Sequence, residues 1–237
     1  MNLLEDLHIP TLPKQRVPVK TLIEQLQPTP DNKRLIESHV ASIYLVSLLN
    51  EQTIRYRAYK DDDYSYQAIY VLQITLKKND QLTDLTSQLH AAFPEPTILL
   101  MEHGDKEWIS AAPKRINKLN PTKTVLEDNV LQEIKGDFIQ HLNLEQIKAI
   151  DLKDYYSKIV QIVYKLGVLD LVNVYPNTNL DYKSIIKEYQ QLQTNINNLK
   201  EQYKRASMKS EKMGIDDQIY DEEQKQKNIV KRFKEGV

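Results

Sequence analysis

The chain has 237 residues, 41% of them hydrophobic, and 32 basic residues nearly balance 33 acidic ones. That content suffices for a buried core, while a formal net charge of -1 creates no molecule-wide field toward nucleic acid or a membrane, so any such binding is local. The absence of cysteine excludes disulfides, thiolate metal sites and a cysteine nucleophile.

The N-terminal stretch MNLLEDLHIP carries acids where a secretory leader would carry positive charge, and no apolar run approaches the ~20 residues that span a bilayer. A cytoplasmic protein without membrane association is therefore expected. Pro18 precedes Leu22, Ile23 and Leu26, the stripe of a short helix that ends before QPTP. A second helix is predicted from DNKRLIES, with Asp31 as its cap.

The period then changes. HVASIYLVSLL is apolar on both faces and rich in β-branched residues, which predicts a buried central strand and leaves a buried helix as the alternative. In AIYVLQITLKK, Tyr70, Leu72, Ile74 and Leu76 alternate with Val71, Gln73, Thr75 and Lys77, the pattern of a half-buried strand. Asn79 and Asp80 are placed to cap a helix carrying Leu82, Leu85, Leu89 and Phe93, which Pro94 stops. PTILLMEHGDKEWISAAPK reads as two strands turning at Gly104.

Further along, Val130, Leu131, Ile134 and Phe138 read as a helical stripe. Asp151 then caps LKDYYSKIVQIVYKLG, with Gly167 as its terminator. From Tyr182 the apolar positions Tyr182, Ile185, Tyr189, Leu192, Ile196, Leu199, Tyr203 and Ala206 step by three and four, the a/d repeat of a helix built to meet another helix. The partner is either the return helix carrying Ile219, Ile229, Val230 and Phe233, capped by Asp216 or Asp217, or the same helix of a second copy. Tyrosines in the seam fit a tight parallel coil poorly, which favours the hairpin.

The expected architecture is α+β: a largely antiparallel sheet with helices on one face over 1–120, a helical segment packed on it over 121–180, and a C-terminal helical hairpin or coiled coil over 181–237.

The residues able to carry chemistry form no recognisable reactive centre in the sequence. His8, His39, His90, His103 and His141 are scattered without metal-ligand spacing, and no metal or cofactor is expected. Asp61, Asp62 and Asp63 read as a solvated loop between strands, since no closing glutamate or EF-hand glycine follows. Five glycines, at 104, 136, 167, 214 and 236, cannot build a phosphate-cradling loop or a nucleophile elbow. A metal-dependent nuclease would need an acid-x-Lys pair on a strand, and neither Glu102 nor Glu107 has a lysine two residues on.

Basic residues are the remaining signal. APKRINKLNPTK holds Lys114, Arg115, Lys118 and Lys123, a candidate phosphate-contacting rim, with a solvated strand-end cluster as the alternative. Tyr64, Tyr66 and Tyr70 offer rings that could stack bases or cover core edges.

The string LPKQRVPVKTLIEQL, the strands SIYLVSLL and YVLQITL, the element FPEPTILLMEHGDK, the following SAAPKRIN and the helix LKDYYSKIVQIVYKL together resemble a bacterial family defined as a domain of unknown function. Its members often accompany genes for a superfamily-two helicase and a DNA methyltransferase in restriction or phage-defence loci. The resemblance implies a non-catalytic accessory subunit of a defence complex docking such a partner, with Lys114 and Arg115 as the pair it transfers. The alternatives are a nucleic-acid-binding subunit using the basic rim, or a metal-dependent nuclease sensitive to Asp105 or Glu102. Under the docking reading the interface residues are Tyr182, Ile185, Tyr189, Leu192, Ile196, Leu199 and Tyr203, and a homo-oligomer is compatible with the same seam.

Overall fold

The computed structural model describes residues 3–120, 124–177 and 180–235. Its contacts gather into two compact units, Met1–Val163 and Tyr164–Val237.

The first unit opens with a short helix α1 (Leu3–Asp6) and an edge strand β1 (Gln15–Arg16), followed by the expected helix α2 (Val19–Leu26). Helix α3 (Pro30–His39) starts slightly ahead of its predicted cap. Thr29 Oγ1 accepts from the Asn32 N–H and Pro30 presets the first turn, which leaves Asp31 inside the helix near its positive end. Strand β2 (Val40–Leu49) confirms the strand reading of the apolar run. After the one-turn helix α4 (Glu51–Ile54), strands β3 (Tyr59–Lys60) and β4 (Ser65–Tyr66) form a small ribbon of their own.

Strand β5 (Ile69–Leu76) lies antiparallel to β2. The next helix, α5 (Leu82–Ala92), is not capped by Asn79 or Asp80. Asp80 Oδ1 instead sits 2.7 Å from Nε2 of the buried His39, and Gln81 takes the N-cap position with a left-handed φ of 50° and no side-chain bond. Strand β6 (Thr97–His103) then pairs parallel with β5, α5 serving as the crossover, and turns through Gly104 at φ 62° into antiparallel β7 (Lys106–Ala111).

A ribbon of β8 (Lys114–Ile116) and β9 (Thr124–Leu126) follows, and β10 (Val130–Ile134) closes the main sheet, whose order is β1-β2-β5-β6-β7-β10. This corrects the helical stripe expected here. Val130 and Ile134, four residues apart, share one face of a strand as readily as one face of a helix, and β10 pairs with β7 from Val130↔Ala111 to Ile134↔Glu107. Phe138 is buried from a 3-10 turn, Gly136–His141.

Leu22, Ile36, Leu85 and Leu89 from α2, α3 and α5 pack against Ile43, Leu72, Ile74, Leu99 and Trp108 of the sheet. Leu72, Ile74 and Leu76 of β5 all belong to that core, as their alternation predicts. Helix α6 (Leu152–Val172) begins where Asp151 Oδ1 accepts from the Asp154 N–H at 2.9 Å. It runs on through Gly167, and the left-handed turn falls at Asn173, φ 55°, because a mid-helix glycine lowers helix propensity without forcing a stop. In the part belonging to the first unit, Tyr155, Tyr156, Ile159 and Val163 are buried.

In the second unit, α7 (Tyr182–Arg205) and α8 (Lys209–Glu235) form an intrachain helical hairpin, so the seam's partner is the return helix. Tyr182, Ile185, Leu192 and Ile196 are buried with Ile219, Ile229 and Phe233, and Tyr182 stacks on Phe233 at 6.4 Å between centroids. Because α8 already starts at Lys209, Asp216 and Asp217 lie within it rather than capping it. At the start of α7 Asp181 does act as the cap, accepting from the Ser184 N–H at 3.2 Å. Asp181→Ala is therefore expected to lower the thermal midpoint of the hairpin's helical circular dichroism. Among the described residues no helix is long and apolar enough to cross a membrane.

Candidate functional site

The two small ribbons of the first unit border a concavity lined by several charged side chains. The Ile116 N–H donates to the Asp63 carbonyl at 2.7 Å, joining β8 to the loop between β3 and β4. That loop is held from within: Asp61 accepts from the N–H groups of Asp63 and Tyr64 and from the Tyr59 hydroxyl, which keeps its carboxyl below the usual carboxylate range. Lys153 from α6 lies 3.7 Å above the Tyr64 ring and 4.5 Å from the Tyr59 ring centroid. Between the ribbons opens a cleft of about 640 Å³ lined by Lys60, Asp62, Ser65, Pro94, Glu95, Lys114, Arg115, Ile116, Lys118 and Thr124.

Lys114 is only 3% exposed, so the position expected on a solvated rim forms the floor instead. Its Nζ donates to the carbonyls of Phe93 and Glu95, each at 2.7 Å. Phe93 is the residue at which α5 ends, so the cation also meets the negative end of the helix dipole. Burial pulls the Lys114 ammonium down to about 7 and raises the nearby Glu95 carboxyl, which the backbone N–H groups of Gln67 and Ala68 partly offset.

Behind the floor lies a buried polar chain. Asn129 Nδ2 donates to Thr86 Oγ1 at 2.8 Å, Ser110 Oγ donates to Asn129 Oδ1 at 3.1 Å, and His90 Nε2 lies 2.9 Å from Ser110 Oγ. Since the Ser110 proton is used toward Asn129, the imidazole donates through Nε2, leaving Nδ1 as a buried lone pair without a partner among the described residues. Burial first, and the nearby Lys114 charge second, hold His90 well below the ordinary histidine range.

Arg115 is half-buried and Lys60 exposed, and among the described residues neither forms an ion pair. Lys118 pairs with Asp63 at 2.9 Å, both side chains well solvated, a bond of small net value that a phosphate could replace. Lys123 lies outside the described residues. Thus Lys114, Arg115 and Lys118 meet in one cleft, and Lys60 and Glu95 join them from segments that sequence reasoning did not single out. Neither carried a signal, since only the joining of the two ribbons brings them near. The tyrosines divide: Tyr66, 2% exposed, packs 5.8 Å from Tyr156, and Tyr70 meets Phe93 edge-on, so both cover core.

The predicted interface residues occupy the hairpin seam of the second unit. Tyr189 and Leu199 are half-buried, and Tyr203 is 36% exposed with Lys212 Nζ 5.4 Å from its ring centroid. Beyond it Met208, Met213 and Tyr220 are exposed. As for metal chemistry, Glu102 is engaged by the Thr75 hydroxyl at 2.9 Å, Asp105 sits in the turn after Gly104, and no group of three His, Asp or Glu residues converges among the described residues.

No curated protein and no solved structure matches the chain. The family model of a domain of unknown function, DUF4391, matches it over residues 10–225, a span that takes in the main sheet, both ribbons of the cleft and most of the hairpin. The chain belongs to the DUF4391 family.

Proposed function

We propose that the protein is an accessory subunit that binds nucleic acid by its phosphates in this cleft, within a DNA-targeting restriction or defence complex that includes a helicase or DNA methyltransferase. The observation that carries the reading is the convergence of Lys60, Lys114, Arg115 and Lys118 on one cleft, with Lys60 and Arg115 unpaired among the described residues. In a chain with net charge -1, a local concentration of cations is what phosphate contacts require.

The test is fluorescence anisotropy with labelled single-stranded and duplex oligonucleotides over a salt series. Combining Arg115→Glu with Lys118→Glu should weaken binding at least about tenfold and reduce the slope of log affinity against log salt by about two. Binding that ignores salt and both substitutions would overturn the proposal. A second reading, docking of the helicase or methyltransferase on the hairpin, is favoured by the exposure of Met208, Met213 and Tyr220, since flexible apolar side chains suit partner surfaces. Met213→Glu with Tyr220→Glu separates the two, because it should abolish docking and leave anisotropy unchanged.

A further inference from the structure

Among the described residues Lys114 is a buried amine without a hydrogen-bonded counter-anion. Two of the three N–H bonds of its ammonium go to the Phe93 and Glu95 carbonyls, and among the described residues the third has no acceptor. The Glu95 carboxylate, whose charge acts on it, is turned to the Gln67 and Ala68 N–H groups. Arg115, the next residue in β8, lines the same cleft with its guanidinium unpaired among the described residues. A cation buried this deeply is costly unless something supplies the opposite charge, and the open cleft is the side from which it can come.

We infer that the floor of the cleft is a subsite for a phosphate monoester, held by the Lys114 amine and the Arg115 guanidinium, with the terminal phosphate of a nucleic-acid strand as its ligand. This rests on the function proposed above and narrows it. An internal phosphodiester carries a sugar on both sides, which keeps it at the rim beside Lys60 and Lys118. A monoester has one substituent and three free oxygens, so it can approach a lysine that is only 3% exposed, and its two negative charges match two cations.

Binding at this floor is coupled to proton uptake. In the empty cleft the Lys114 amine is largely neutral above about pH 7, and a phosphate dianion restores its charge. The groups facing it are His90 on α5, Glu95 after α5, Lys60 and Asp62 at the β3–β4 loop, Tyr66 in β4, and Arg115 and Lys118 around β8. Burial moves His90 downward and Tyr66 upward, both away from neutrality, and raises Glu95, whose ionisation with rising pH weakens anion binding in the same sense as loss of the Lys114 proton, so Lys114→Arg separates the two. As pH rises from about 7 to about 8.5 the amine loses its proton and affinity falls, on the order of tenfold.

The experiment compares strands of one sequence ending in a 5′-phosphate or a 5′-hydroxyl, with a nucleoside 5′-monophosphate as competitor, by anisotropy across that pH range. The phosphorylated strand should bind at least about tenfold tighter near pH 7, with the advantage shrinking as pH rises. Lys114→Met should remove the advantage, and Lys114→Arg should keep it while flattening its pH profile, because arginine stays charged. Should Lys114→Met fail to fold, Arg115→Gln, at a half-exposed position, reads the same loss. Equal affinity for the two termini with salt-dependent binding intact overturns the subsite and leaves the nucleic-acid reading standing. Monophosphate binding that Lys114→Met abolishes, with no binding of either strand, keeps the subsite for a free phosphate monoester and overturns the nucleic-acid reading. If neither strand nor monophosphate binds, both fall.

Discussion

Tyr156→Phe is expected to destabilise the first unit by about 1–3 kcal/mol, and Tyr156→Ala by about 3–5 kcal/mol, in chemical denaturation followed by circular dichroism. The ring is fully buried, 0% exposed, between Tyr66 and the sheet. Its hydroxyl accepts from the Ala112 N–H at 2.9 Å and donates to the Thr97 carbonyl at 2.7 Å. Deleting that one oxygen strands a donor and an acceptor inside the protein, which costs more than the hydrogen bonds are worth in exchange with water. Ala112 leads through Pro113 directly into Lys114, so the same substitution should loosen the cleft floor and weaken phosphate-dependent binding under conditions where the variant is still folded. A Tyr156→Phe protein with unchanged midpoint and unchanged binding would show that this oxygen does not hold the segment leading into Lys114.

Phe233→Ala is the second large effect. Phe233 is 1% exposed, stacks on Tyr182 and belongs to the small cluster of Val168, Ile185, Leu192 and Ile229 that closes the base of the hairpin. Elsewhere along the seam Ile196 and Ile219 are buried, and polar contacts flank them: Asn195 donates to Glu222 at 3.3 Å, Gln226 to Gln193 at 3.0 Å and Lys200 to Glu223 at 2.9 Å. Exposed polar pairs of this kind contribute at most about 1 kcal/mol each, whereas removing a buried phenylalanine costs about 3–5 kcal/mol. The variant should lose helical signal from α7 and α8 and become sensitive to trypsin within the lysine-rich stretch 183–234, with Met213→Ala, at an exposed position, as an unchanged control. Unaltered protease resistance would mean that the apolar base is not what keeps the helices paired.

The parts of the fold that were legible in the sequence are those where one local pattern had a single solution. Alternation in Ile69–Leu76, a glycine between two apolar strands at Gly104, and steps of three and four from Tyr182 to Ala206 each translate directly into an element. Where two solutions satisfied the pattern, tertiary pairing decided: Val130 and Ile134 became strand because β7 had a free edge. The cap expected at Asp80 failed for a similar reason, since Asp80 was drawn to a histidine 41 residues away. Lys114 and Arg115 could be picked out as basic neighbours, but not the burial of one of them, because lysine is rarely interior and its acceptors are carbonyls of a helix end far along the chain. A cleft whose lining comes from Lys60, Glu95 and Lys114 is created only when two ribbons that are separate in sequence come together.

The parallel pairing of β5 with β6 bears on how the chain reaches this state. The turn at Gly104 can close β6 onto β7 locally, but β5 must wait for α5 to swing across before its second edge is covered. During synthesis the apolar ribbon of β2 and β5 therefore stands with one side open until about residue 103 has emerged. That interval, rather than the finished molecule, is when the protein is most exposed to intermolecular strand pairing, and the stage at which a chaperone would matter most.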